Sequence, residues 1–146
     1  MIIKIDHIGI AVESIKDASK FYHDILGLNL DRTEIEPEQK STVAFLPVGG
    51  DLVELIEPFG EEGPVARFMS KRGEGIHHLC FEVDDIEIEL ERLKSAGVEL
   101  VTEEAIVVSG GNKAAFIHPH ATHGVLIELY QRASKETLSH SVADES

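Results

Sequence analysis

Gly75-Ile76-His77-His78-Leu79-Cys80-Phe81-Glu82-Val83-Asp84-Asp85 reads as a strand running into a helix, and it repeats a stretch near the N-terminus, Ile5-Asp6-His7-Ile8-Gly9-Ile10-Ala11-Val12-Glu13-Ser14. Laying His7 on His78 sets an offset of 71, and the same offset brings Ala44-Phe45-Leu46 onto Ala115-Phe116-Ile117. Each copy closes alike, on Leu52-Val53-Glu54-Leu55-Ile56 and on Leu126-Ile127-Glu128-Leu129-Tyr130. Each half therefore offers one His on its first strand and one Glu on its last. Imidazole nitrogen with carboxylate oxygen suits a borderline divalent ion held between the halves.

The chain has 146 residues, 42% hydrophobic, a length and composition that fit one domain with a packed core. Its apolar runs are short and broken by charge, and strand-like alternation begins at once with no cationic leader ahead of an apolar block, so the expected location is cytoplasmic. The single Cys80 leaves no internal disulfide to form, in keeping with a reducing compartment. A formal net charge of −14 argues against nucleic acid as partner, because phosphate contacts need a concentrated basic face.

Residues 2 to 12 alternate, with Ile8, Ile10 and Val12 on one side and His7, Gly9 and Ala11 on the other. Ser14 caps an expected helix whose Ala18, Phe21, Tyr22 and Ile25 form a stripe over the Ile8, Ile10, Val12 face, ending at Gly27. Strands are expected at 28–33, 43–48 and 52–57, the last two joined at Gly49-Gly50-Asp51. That makes a βαβββ module over about 3–57. A connector, 58–75, holds a short helix starting at Pro64 with Val65, Phe68 and Met69 as its apolar residues and Gly73 as its stop. The second module, about 76–131, carries a helix capped by Asp84 or Asp85 with Ile86, Leu90 and Leu93 inward, then strands near 98–102, 113–118 and 125–130. The expected fold is α+β, two tandem modules within one domain of residues 1–132. Residues 133–146 are a polar tail, frayed or a short appended helix.

Period-two alternation separates the two adjacent histidines. His77 shares a face with Leu79, Phe81 and Val83, which should lie beneath the helix, whereas His78 shares the open face that His7 occupies, so His78 is the expected ligand. Glu54 and Glu128 are each flanked by apolar residues on their own face, and burying a carboxylate there is costly without a cation or hydrogen bonds. A lone strand histidine or glutamate is ordinarily a solvated residue; recurrence of both types at matched places is what points to a shared metal site.

From about Ile5 to Gln131 these residues resemble the vicinal oxygen chelate superfamily, whose paired βαβββ modules form a metal-centred, partly open mixed-sheet barrel. Five segments look specifically like the methylmalonyl-CoA epimerase family: Ile5 to Val12, Pro64 to Phe68, Arg72 to His78, Phe116-Ile117-His118-Pro119, and Gly124 to Leu129. The resemblance implies His7, His78 and Glu128 as metal ligands with Glu54 at a fourth place, and one cobalt, manganese, nickel or zinc ion. It implies inversion at C2 of an acyl-CoA thioester through a metal-stabilised enolate, and a homodimer, for which the Phe68, Met69 helix is one possible contact. Inversion needs proton removal on one face and return on the other. Glu128 looks like one such group. The second, in some relatives, is a Glu shortly after a Pro-Glu-Gln segment. Here Pro37-Glu38-Gln39 is followed by Lys40, Ser41, Thr42 and Val43, with no carboxylate among them, which leaves Glu54, a bound water, or a different activity.

His118, His120 and His123 form another cluster, read as exposed loop histidines in preference to a second metal site. Lys71, Arg72 and Lys113 are candidates for the nucleotide end of a coenzyme A ester, and none is assigned. Rival readings are a lactoylglutathione lyase, with a similar metal set; a non-heme iron dioxygenase, which leaves Glu54 unexplained; and a metal-free antibiotic-binding protein, against which the presence of all four donors speaks.

Overall fold

The structure, a computed structural model, describes residues 1–134, so the expected tail lies from residue 135 onward outside the described residues. In chain order the elements are β1 (Ile2–Ala11), α1 (Ile15–Ser19) continued by a π-helical turn (Lys20–Ile25), β2 (Arg32–Glu36), β3 (Ser41–Val48), β4 (Asp51–Pro58), α2 (Pro64–Arg72), β5 (Gly75–Val83), α3 (Ile86–Ser95), β6 (Ile106–Val107), β7 (Lys113–Ile117) and β8 (Ile127–Gln131). The α+β class and the two βαβββ modules with a connecting helix are therefore present. The compact units of the chain do not coincide with the modules: one is His7–Leu79, the other Met1–Asp6 together with the chain from Cys80 on. β1 and β5 each give one half to each unit.

In the His7–Leu79 unit the strands run β2-β3-β4-β1-β5. β3 and β4 form a hairpin through Gly49, whose φ of 58° suits a residue without a Cβ, and β1 lies parallel to β4. Alternation along β1 sends Ile10 and Val12 to one cluster and Ala11 to another. Val12, Ala44, Leu46 and Leu55 pack with Ile15, Ala18 and Tyr22 of the first helix, whose N-cap Ser14 accepts from the Asp17 N–H at 3.1 Å. Phe21 and Ile25, expected in that stripe, are exposed. The cause is the π turn: Leu26 N–H donates to Phe21 O, five residues back, and the extra residue per turn rotates Phe21 and Ile25 off the packed side. The opposite face, Ala11, Val43, Phe45 and Ile56, is covered by Val65, Phe68 and Met69 of α2. Phe68 and Met69 pack on this cluster and are each only partly buried.

The other unit has the order β1-β5-β8-β7-β6. Asp85 is the cap of α3, accepting from the Ile88 N–H at 3.1 Å, and the helix buries Ile86 and Leu90 against Val83, Ala115, Ile117 and Leu129. The strand expected at 98–102 is reduced to one bridge, Leu100 to Ile117. Thr102 explains this: its Oγ1 accepts the Phe116 N–H at 2.8 Å while the Val101 and Thr102 N–H groups both turn to Phe116 O, so the ladder breaks and resumes at β6. No helix among the described residues is long and apolar enough to cross a membrane.

Arg132, just past β8, reaches back to the start of the chain. Its Nη2 donates to the buried Asp6 at 2.5 Å and its Nε to Glu82 at 2.9 Å, while the guanidinium lies 5.4 Å from the Tyr130 ring centroid. Its half-exposed head limits what the pair contributes, but Asp6 is inside. Arg132→Ala should cost about 1–2 kcal/mol in urea unfolding, most of it from leaving a buried carboxylate without its cation. In an Asp6→Asn background that cost should fall by about half. Equal costs in the two backgrounds would show that Asp6 does not depend on Arg132.

Candidate active site

Within the His7–Leu79 unit, His7, Gly9 and Ala11 share one face of β1, and strand pairing sets Gly9 and Phe45 opposite Glu54. His78 lies directly over Gly9: a Cβ built there would come 2.3 Å from His78 Cε1 and 2.8 Å from its Nε2. The absent side chain is the space the imidazole occupies. His7 Nε2 and His78 Nε2 are 2.8 Å apart, with the ring planes at 88°, and both side chains are buried. His7 Nδ1 is 3.1 Å from Glu54 Oε2, so Glu54 approaches His7 at the ring nitrogen that does not face His78. Glu54 itself is 8% exposed.

His77 departs from the expected face. Instead of lying beneath α3, its ring stands edge-on to Phe68 of α2, centroids 5.1 Å apart, and its Nδ1 is 2.9 Å from His78 Nδ1. Alternation alone misplaced it, because strand periodicity says nothing of a helix that folds over the other side.

Glu128 belongs to the other unit, on β8 opposite Phe116, and is 4% exposed. Two residues on, the Tyr130 phenol is pushed up to about 12, first by burial, with the guanidinium of Arg132 opposing and the Asp6 and Glu128 carboxylates adding to the rise. It stays protonated across the working pH range and supplies a hydrogen-bond donor, not a base.

Two imidazoles converging through Nε2 on a buried face, with an acid nearby, form a donor set that suits a borderline divalent ion. Their other ring nitrogens already have partners, as metal-binding histidines generally require. The residues present therefore fit such an ion.

The Pro37–Gln39 segment forms a 3-10 turn ending at Lys40, which sits in the left-handed region with φ 49°. Beyond it Ser41 is buried and donates to Gln39 O at 2.9 Å, and Val43 is packed in the cluster with Ala11, Phe45, Ile56 and Val65. This stretch of β3 offers an apolar wall and no acid.

In the second unit His118 and His120 stack at 4.1 Å beside Glu99, with His120 Nδ1 3.2 Å from Glu99 Oε2. His118 Nδ1 accepts the His120 backbone N–H at 3.1 Å, which puts the proton of a neutral ring on Nε2 and removes that nitrogen as a ligand atom. Glu99 and His120 are exposed and His118 is half-buried, so the three side chains sit at the surface. His123, at φ 62°, stands outside it. Lys113 is engaged with Glu87 at 2.7 Å, and the Arg72 guanidinium lies 5.9 Å from the Phe68 ring centroid.

Gly9 and His77 are the residues that the sequence reading did not single out. The position of Gly9, two residues after His7 on the same face, was a usable signal; that of His77 was not. Gly9→Ala should destabilise the protein by about 1–3 kcal/mol, because the new methyl must displace a buried ring. Urea unfolding measures this, and an unchanged midpoint would mean that His78 does not rest on Gly9.

The sequence profile of the glyoxalase/bleomycin resistance protein/dioxygenase superfamily matches residues 6–116. The chain is 44% identical over 126 residues to an uncharacterized protein of Bacillus subtilis, covering 86% of this chain and 90% of the relative. It is 36% identical over 133 residues to a protein of Cereibacter sphaeroides named ethylmalonyl-CoA/methylmalonyl-CoA epimerase, covering 90% and 99%. The crystal structure of methylmalonyl-CoA epimerase from Mycobacterium tuberculosis superimposes with a TM-score of 0.85 at 39% identity, covering 92% of this chain and 91% of that one.

Proposed function

Because the chain belongs to the glyoxalase/bleomycin resistance protein/dioxygenase superfamily, we propose that it is a metal-dependent epimerase that inverts C2 of methylmalonyl-CoA. The observation that carries this reading is the buried pair of ring nitrogens, His7 Nε2 and His78 Nε2, 2.8 Å apart beside Glu54. The likeness to named epimerases over nine-tenths of the chain supplies the substrate class. In this reading the two modules act as one domain of residues 1–132, as a cytoplasmic homodimer.

His7 and His78 would hold the ion through Nε2, with Glu128, at the matching place in the second copy of the repeat, as the third ligand. Glu54 would take the fourth place by turning from His7 Nδ1, 3.1 Å away in this structure. When bound, a divalent ion supplies positive charge where negative charge develops on the thioester oxygen as the C2 proton leaves. Glu128 exchanges the proton on one face of C2. Glu54 serves the other face, since the β3 position where some relatives carry a separate acid is an apolar wall here. That cluster, Ala11, Val43, Phe45 and Val65, offers no acid or base for the second proton.

The test is deuterium incorporation at C2 of a single methylmalonyl-CoA epimer in D2O with the metal-loaded protein, alongside methylglyoxal with glutathione. Exchange with inversion in the first assay and no turnover in the second is the expected result; the reverse pattern would replace this reading with a lactoylglutathione lyase. Glu54→Gln keeps a metal donor but no base. It should retain exchange from one epimer while inversion falls by about 100-fold or more. Glu128→Gln should lose both, and inversion undiminished in Glu54→Gln would assign the second proton to another group.

A further inference from the structure

His77 is a buried, titratable side chain that the mechanism above does not use, and it makes two contacts that together give it a task. Its Nδ1 is 2.9 Å from His78 Nδ1, and its ring is fixed edge-on against Phe68. We propose that His77 is the positioning residue for His78: its Nδ1 accepts a hydrogen bond from His78 Nδ1–H and so locks His78 in the tautomer whose Nε2 lone pair is free for a divalent cation. The inference rests on the reading of His78 as a metal ligand.

The argument is one of proton placement. A neutral imidazole carries one N–H, and a ring that ligates through Nε2 must carry it on Nδ1. His77 Nδ1 stands 2.9 Å from His78 Nδ1, and it can accept only if its own proton sits on Nε2. The opposite assignment, with His77 donating, would place the His78 proton on Nε2, against His7 Nε2 2.8 Å away, and would close the site to a cation. His7 is gripped in the same fashion in this structure, with Glu54 Oε2 at 3.1 Å from its Nδ1. A carboxylate on one histidine and a neutral ring on the other give the pair one charged and one uncharged support, which limits the negative charge enclosed on this face.

Phe68 is the second half of the device. The backbone sets where His77 begins, but a ring is free to turn about its side-chain torsions unless something packs on it. The Phe68 ring, meeting the imidazole at 89°, blocks that rotation and keeps Nδ1 aimed at His78. α2 thereby acts on the site through His77. A residue that acts on a ligand through a hydrogen bond in this way typically changes metal affinity by 10- to 100-fold, roughly, when it is removed.

The experiment compares full-length wild type, His77→Phe and His77→Asn by cobalt(II) titration, followed by its visible absorption. Phe keeps an aromatic ring against Phe68 but has no acceptor; Asn carries an oxygen near the place of Nδ1. Cobalt affinity should fall roughly 10- to 100-fold in His77→Phe and return to within about threefold of wild type in His77→Asn. Urea unfolding of the metal-free proteins separates this from loss of fold, and 15N–1H spectra of the zinc-loaded wild type should show the His78 proton on Nδ1 and the His77 proton on Nε2. His77→Phe binding cobalt as tightly as wild type, His77→Asn as weakly as His77→Phe, or a His78 proton on Nε2 would each overturn the proposal. A wild type that binds no divalent ion would instead sink the metal reading, and the positioning role with it.

Discussion

Two imidazole nitrogens held 2.8 Å apart inside a protein need a proton or a cation between them, and the rest of the unit around His7 is arranged to keep them there. Gly9 gives up a side chain so that His78 can lie across β1. Glu54, opposite Gly9 on the parallel strand, takes one outer nitrogen, and His77 takes the other. α2 folds over the same face and closes it with Val65, Phe68 and Met69. A buried ring nitrogen that loses its hydrogen-bond partner costs about 1–3 kcal/mol, so these contacts hold one another in place.

Much of this arrangement was legible beforehand because it follows from period two and from the repeat. The offset that lays His7 on His78 also predicts the order of strands and helices, and alternation assigns Ala11 and Val12 to opposite clusters, as they are found. Helix ends were equally readable where a side chain caps them: Ser14 and Asp85 both accept from a backbone N–H three residues on.

What escaped reading depends on contacts between elements or on single hydrogen bonds that alternation cannot see. Phe21 and Ile25 obey the helical spacing, yet one i to i+5 bond turns them outward. Residues 98–102 have strand-like composition, but the Thr102 hydroxyl captures the N–H that a ladder would have used. His77 looked like a residue of the far face until α2 supplied Phe68 as its neighbour. In each case the local rule was obeyed and a tertiary partner decided the outcome.

The unequal division of the chain bears on how it is made. The unit from His7 to Leu79 is built from contiguous sequence, so every contact it needs has emerged once its last strand leaves the ribosome, and it can condense while synthesis continues. The other unit must wait, because Asp6 meets Arg132 across 126 positions of sequence and β1 contributes its first half to strands translated last. Such late, long-range closure is slow, and until it happens the first half of β1 lacks the Asp84 N–H that the Met1 carbonyl accepts and the Arg132 that Asp6 meets. A pause in translation within the second copy would therefore leave a strand edge searching for partners, the state in which chaperones find their clients.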